Sequence, residues 1–254
     1  MQRGTTSRFL DVTGPRVFAH RGLSLGAPEN TLLAFRHALA AGATHLETDV
    51  HATDDGIAVL SHDADHDVAG TRIRLDQLSM GELRRIGLGS GQSFASLREG
   101  LDEFPEARFN IDVKSAAAVG ATAAAVRDAR ATDRVLITSF SETRRRRTTG
   151  LLPGVATSAS ASVLARAYLA AKLGGAAPMR HFLNGFAAVQ VPEKFRFLRI
   201  LTPHFIRAVH AVGVEVHVWT VNDPAAMTRF LDLGVDGLVT DRCDLAVAVI
   251  AART

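Results

Sequence analysis

Residues 17–35 read VFAHRGLSLGAPENTLLAF, and residues 45–63 read HLETDVHATDDGIAVLSHD. Each stretch sets a histidine and a charged neighbour at the end of an apolar run: His20 with Arg21 in the first, His62 with Asp63 in the second. In a barrel of alternating strands and helices, the C-terminal strand ends meet over one pocket and carry the chemistry. The two histidines are therefore expected to face a common substrate.

The rest of the chain repeats the same rhythm. Short β-branched runs, RVFAH, HLETDV, FNIDVK, RVLITSF, VATSA, AAVQV, EVHVWTV and DGLVTD, alternate with alanine- and leucine-rich helical segments. That is the signature of a parallel sheet with covering helices. Eight such runs in 254 residues predict one α/β domain, a (β/α)8 TIM barrel spanning residues 1–254. Helix starts are marked by Asn30, by Thr202 with Pro203, and by Asp223 with Pro224. One interval breaks the rhythm. Residues from about 64 to 107, with LDQLSMGELRRIG and SLREGLDEF, are too many for one connecting helix. They predict a short insertion after the second strand unit, built on two short helices beside the mouth, where it could act as a lid.

Composition narrows the classes. Lysine plus arginine total 29 against 26 aspartate plus glutamate, a formal charge of +3, too small to imply nucleic acid yet compatible with an anionic substrate. Cys243 is the only cysteine, which excludes an intramolecular disulfide and points to a cytoplasmic enzyme. The opening MQRGTTSRFLDVTGPRV lacks the apolar core of a signal peptide. No apolar run approaches the roughly 20 residues that span a bilayer, so stable membrane insertion is not expected. The apolar segment 161–200 is expected to pack on the barrel, with transient lipid contact as the alternative. Oligomeric state is not legible.

The strand ends are chemically loaded: His20 and Arg21, Glu47 and Asp49, His62 and Asp63, Asp112 and Lys114, then Trp219 and Asn222. Glu47 and Asp49 are two apart on a strand and share a face, as do Asp112 and Lys114. Three carboxylates at one mouth repel unless a cation lies between them, and oxygen donors suit a hard ion, Mg²⁺ or Ca²⁺. The competing reading is an ion-pair network of those carboxylates with Arg21 and Lys114. Arg21 and Lys114 beside a divalent ion make an oxyanion site, phosphate above all. The histidines then serve as acid and base of a phosphodiester cleavage. His45, His51, His66, His181, His204 and His217 read as structural, and His37 and His210 as helix-surface residues. The arginines 144–147 read as a solvated helix, because four consecutive residues spread around its circumference.

AHRG, PENT, GATHLETDVHATDDGIAVLSHD, NIDVK, VWTVN and GVDGLVTD, spread in order over residues 19–241, together resemble the glycerophosphodiester phosphodiesterase family. The resemblance implies a (β/α)8 barrel with an insertion after the second strand unit. It also implies metal-dependent hydrolysis of small-molecule glycerophosphodiesters to glycerol 3-phosphate and an alcohol. By position, His20 and His62 match the acid/base pair, Glu47 and Asp49 metal ligands, and Arg21 and Lys114 the phosphate contacts. Trp219 matches an aromatic wall of the alcohol-side pocket, and Glu29 and Asn30 shape the first loop. Asp112 stands where the family usually carries glutamate, so it is the third expected ligand with a shorter reach. Gln190 and Glu193, at another strand end, are further expected substrate contacts, and Asp241 is expected to close the barrel by hydrogen bonding. Two rivals remain: a phospholipase D-like enzyme on lysolipids, favoured if Phe182 and Phe186 line a wide apolar mouth, and a non-catalytic barrel that binds phosphorylated ligands.

Overall fold

The computed structural model describes residues 7–68, 70–172, 176–195 and 198–253. Residues 1–6 of the opening stretch, and 173–175 and 196–197 of the apolar segment 161–200, lie outside the described residues. Eight parallel strands form the barrel: β1 (Arg16–Ala19), β2 (His45–Ala52), β3 (Arg108–Val113), β4 (Val135–Thr138), β5 (Ala156–Thr157), β6 (Ala188–Pro192), β7 (Glu215–Trp219) and β8 (Gly237–Thr240). They pair in the order β5-β4-β3-β2-β1-β8-β7-β6. A single parallel bridge between Ser158 and Ala188 joins the two ends of that row. The expected barrel is therefore the observed one, and all eight sequence runs became its strands.

Alternation along each strand separates two cores. Val17, Leu46, Ile111, Val135, Val189, Val216 and Leu238 face outward into the layer between strands and helices. Phe18, Leu136, Ala156 and Val239 face inward, joined from below by Phe9 on a short 3-10 turn, Arg8–Leu10. Phe9, Phe18, His45 and His217 are fully buried and pack ring against ring, edge-on for Phe9–His45 with centroids 4.7 Å apart and tilted for Phe18–His45 at 4.5 Å and Phe18–His217 at 4.6 Å. His45 is structural, as expected: one ring nitrogen meets the Phe9 carbonyl at 2.7 Å, and burial pushes its pKa down to about 3. Gly237 makes room for these rings, because a Cβ there would stand 2.7 Å from the Phe18 ring and 2.9 Å from that of His217. The floor of the barrel is thus solid.

Two helix starts carry the expected caps, Thr202 accepting from Phe205 N and Asp223 from Ala226 N. Asn30 does not cap. Thr31 takes that role for helix Leu32–Ala40, while Asn30 adopts a left-handed φ of 56° and its buried side chain accepts from Thr48. Asparagine tolerates that conformation better than most residues, which leaves the threonine to cap.

The interval after β2 holds more than two helices. A return strand, Ala58–Leu60, runs antiparallel to β2, followed by hairpins Asp65–Val68/Thr71–Arg74 and Gly87–Gly89/Gln92–Ser93 and helices Met80–Leu83 and Leu97–Glu103. Val59, Leu75, Met80, Leu83 and Phe94 form a small core of their own. No described helix is long and apolar enough to cross a membrane.

Candidate active site

A cavity of ≈ 670 Å³ opens at the C-terminal ends of the strands. Its polar half is lined by His20, Arg21, Glu47, Asp49, His62, Asn110, Asp112, Lys114 and Gln190. The chain thus brings together the expected His20, Arg21, Glu47, Asp49, His62, Asp112, Lys114, Gln190 and Trp219, but not the expected Glu193. Glu193 is not among the lining residues and pairs with Arg229 at 3.3 Å. Register explains the carboxylates: Asp49 and Asp112 are direct partners in the β2–β3 ladder, and Glu47 lies one inward position below, beside Asn110.

His62 arrives by a different route from the one expected. It does not end a barrel strand. The turn Thr53–Gly56, held by Thr53 N donating to Ile57 O, folds the chain back so that the return strand ends beside Asp49, with Ser61 N donating to the Asp49 carbonyl at 3.0 Å. The histidine is thereby folded over the mouth.

Both histidines are held at the same ring atom. His20 Nδ1 donates to Asp241 at 2.6 Å and His62 Nδ1 donates to Asp63 at 2.8 Å, which leaves each Nε2 free for chemistry. Burial opposes the charged form of His20, but the Asp241 hydrogen bond and the nearby Glu47 raise its pKa overall. Asp241 therefore does more than the barrel closure expected of it. Four of the other histidines have structural partners here: His51 meets the His62 carbonyl at 3.1 Å, His66 meets Ser61 at 2.8 Å, His204 meets the Ala171 carbonyl at 2.8 Å, and His217 meets Glu215 at 3.0 Å.

The cations are paired with the carboxylates. Lys114 Nζ sits 2.8 Å from Asp49 and 2.9 Å from Asp112, and Arg21 Nε lies 3.1 Å from Asp49 while its Nη1 donates to Glu29 at 3.0 Å. Arg21 itself has a left-handed φ of 57°, and its backbone N donates to Glu47. Among the described residues, no three His, Cys, Asp or Glu side chains are grouped as a metal-holding cluster. The ion-pair network weighed from the sequence is thus present.

The same cluster is nevertheless short of positive charge and of donors. Asp49 Oδ2 and Asp112 Oδ1 are buried without a hydrogen-bond partner among the described residues, the Arg21 Nε contact to Asp49 lacking hydrogen-bond alignment. Glu47, desolvated and next to Asp49, has its pKa pushed up to about 8, and burial raises that of Asp112. Buried carboxylate oxygens without donors fit a hard divalent cation.

The other half of the cavity is apolar: Phe140, Leu164, Ala165, Tyr168, Ile200 and Trp219. Phe140 meets Trp219 edge to face at 5.9 Å. The only tyrosine and the only tryptophan of the chain both face this space. Phe140, Leu164, Tyr168 and Ile200 were missed in the sequence. The i, i+4 pair Leu164 and Tyr168 on helix Ala161–Lys172 carries a weak signal, equally that of a core face. Phe182 and Phe186 lie elsewhere, packed into the main core. Among the described residues, none of 64–107 lines the cavity, so the insertion is no lid in this structure. Arg145 also departs from the solvated reading: it is buried, bonded to Glu142 and Thr157, and lies 4.6 Å from the Phe186 ring centroid.

The glycerophosphoryl diester phosphodiesterase family model matches residues 20–245. A Mycobacterium tuberculosis protein named "Probable glycerophosphodiester phosphodiesterase 2" is 40% identical over 98% of this chain and 95% of its own length. A glycerophosphodiester phosphodiesterase of Caldanaerobacter subterraneus is 28% identical over 89% of this chain and 93% of its own. In fold, an Oleispira antarctica phosphodiesterase solved with the product sn-glycerol-3-phosphate superposes with a TM-score of 0.78 at 20% identity, over 95% and 99% of the two chains. The chain belongs to the glycerophosphoryl diester phosphodiesterase family, and it is an enzyme of that class.

Proposed function

We propose that this enzyme hydrolyses glycerophosphodiesters to sn-glycerol 3-phosphate and an alcohol, with His20 and His62 as acid and base and one divalent cation, Mg²⁺ or Ca²⁺, at Glu47, Asp49 and Asp112. The observation that carries the reading is the pair of histidines, each anchored through Nδ1, lining one cavity with Arg21, Lys114 and the three carboxylates. Glu47, Asp49 and Asp112 would hold the ion, which when bound would supply Lewis-acid stabilisation of charge on the phosphate oxygens. Arg21, beside Asp49, and Lys114, between Asp49 and Asp112, would contact the phosphate oxygens. One histidine Nε2 takes the proton of the attacking oxygen, the phosphorus–oxygen bond to the alcohol breaks, and the other Nε2 protonates the departing alkoxide. Attack by water yields the products directly; attack by the neighbouring glycerol hydroxyl yields a cyclic phosphate that water then opens.

The test is release of glycerol 3-phosphate from glycerophosphocholine and glycerophosphoethanolamine by protein stripped with EDTA, then supplied with Mg²⁺, Ca²⁺ or Mn²⁺. Activity lost on stripping and restored by an ion is the expected result. Full activity after stripping would leave the cation without a role, and no release under any condition would refute the substrate class.

The apolar half of the cavity supports a second reading, a lysolipid substrate whose hydrocarbon lies along Leu164, Tyr168 and Ile200. On that reading, turnover of lysophosphatidylcholine exceeds that of glycerophosphocholine, and Tyr168→Ser lowers the first while sparing the second. Equal effects on both substrates would reject it.

A further inference from the structure

The acid/base reading uses the contact of Asp241 with His20 but not the clamp that Asn222 closes on Asp241. β1 and β8 are the first and last strands of the barrel, paired so that Ala19 opposes Thr240. One step further, His20 N donates to the Thr240 carbonyl at 2.9 Å and the His20 ring falls beside Asp241, 221 residues away in sequence. Asn222 grips the aspartate from both sides. Its Nδ2 donates to Asp241 Oδ2 at 2.6 Å, and its Oδ1 accepts from Asp241 N at 2.9 Å and from Thr240 Oγ1 at 3.0 Å. Neither Asp241 nor Asn222 lines the cavity. Asp241 reaches the cavity through its hydrogen bond to the His20 ring.

We propose that Asp241, clamped by Asn222, is the positioning residue of His20: it fixes the Nδ1–H tautomer and the ring plane so that Nε2 meets the phosphodiester. The inference rests on the catalytic role of His20 argued above. A neutral imidazole with its Nδ1 proton committed to a carboxylate has its lone pair on Nε2, and a ring so tethered loses little orientation when substrate enters. The counterpart at His62 is looser. The Asp63 side chain is 67% exposed against 46% for Asp241, and among the described residues no other side chain holds its carboxylate. The two histidines therefore differ in how much they depend on their aspartates.

The experiment measures kcat, KM, Tm and the pH profile for glycerophosphocholine with Asp241→Asn, Asn222→Ala, Asp63→Asn, His20→Ala and the double variant His20→Ala/Asp241→Asn. Asp241→Asn is expected to lower kcat about 10²-fold with KM little changed, and Asn222→Ala to lower it less. Asp63→Asn is expected to stay within about tenfold of wild type. Asp241, Glu47 and Arg21 are the charged groups facing His20. Losing the Asp241 contribution, which raises its pKa, moves the limb of the profile that His20 controls to lower pH. In the His20→Ala background, Asp241→Asn should add no further loss, because the two act as a unit. Full turnover in Asp241→Asn, multiplicative losses in the double variant, or a fall in Tm with an unshifted profile would each overturn the positioning role. Full turnover in His20→Ala would instead remove the catalytic assignment on which it stands.

Discussion

His20→Ala and His62→Ala should each lower kcat by about 10²–10⁴-fold, roughly 3–5 kcal/mol of transition-state stabilisation, while leaving the protein folded. The geometry makes both losses large for the same reason. Each ring has its Nδ1 committed to an aspartate, at 2.6 Å for His20 and 2.8 Å for His62, so its only free proton-transfer atom is Nε2. Both rings border the cavity that Arg21 and Lys114 also line. Neither ring is needed for packing, since the barrel is filled below them by Phe18, His45 and His217. Steady-state kinetics with circular dichroism checks this. If either alanine variant kept full turnover, that histidine would not be an acid or a base here.

Gly22→Ala should lower stability by about 2–4 kcal/mol, shifting Tm by about 5–15 °C, and should impair phosphate binding as well. Gly22 has φ of 88°, and a Cβ there would lie 2.7 Å from the carbonyl carbon of Ala34 and 2.8 Å from its Cβ. That obstacle is backbone at the start of helix Leu32–Ala40, which cannot swing aside as a long side chain could. The loop is tied to the same spot by Leu23 N donating to the Ala34 carbonyl at 2.9 Å. Arg21 precedes the glycine directly and already holds a left-handed φ, so a shifted loop carries the guanidinium away from Asp49 and Glu29. Thermal unfolding combined with KM measures both effects. An unchanged Tm would show that the loop has slack which the packing does not suggest.

The barrel was legible because its strands are short, buried on both faces and separated by helices with clear caps, so eight apolar runs announced themselves. The site was legible where chemistry repeats at two-residue spacing, as in Glu47 and Asp49 or Asp112 and Lys114. Long-range register was not. The pairing of His20 with Asp241 arises only when the last strand closes on the first, and nothing local marks it. The return strand was hidden because it is only three residues long, and the turn before it was read only as part of a motif. Arg145 was misjudged because a run of like charges hides position. Glu142, Arg145 and Thr148 fall three apart on one helix face, so a single arginine of the four turns inward to a carboxylate. The apolar wall of the cavity stayed invisible because Phe140, Tyr168 and Ile200 come from three separate connections.

The packed rings of Phe9, Phe18, His45 and His217 make the barrel a cul-de-sac. With its floor filled, the cavity has one door, so whatever enters must leave by the way it came in. Whatever lingers at the mouth would bar that door to the next arrival.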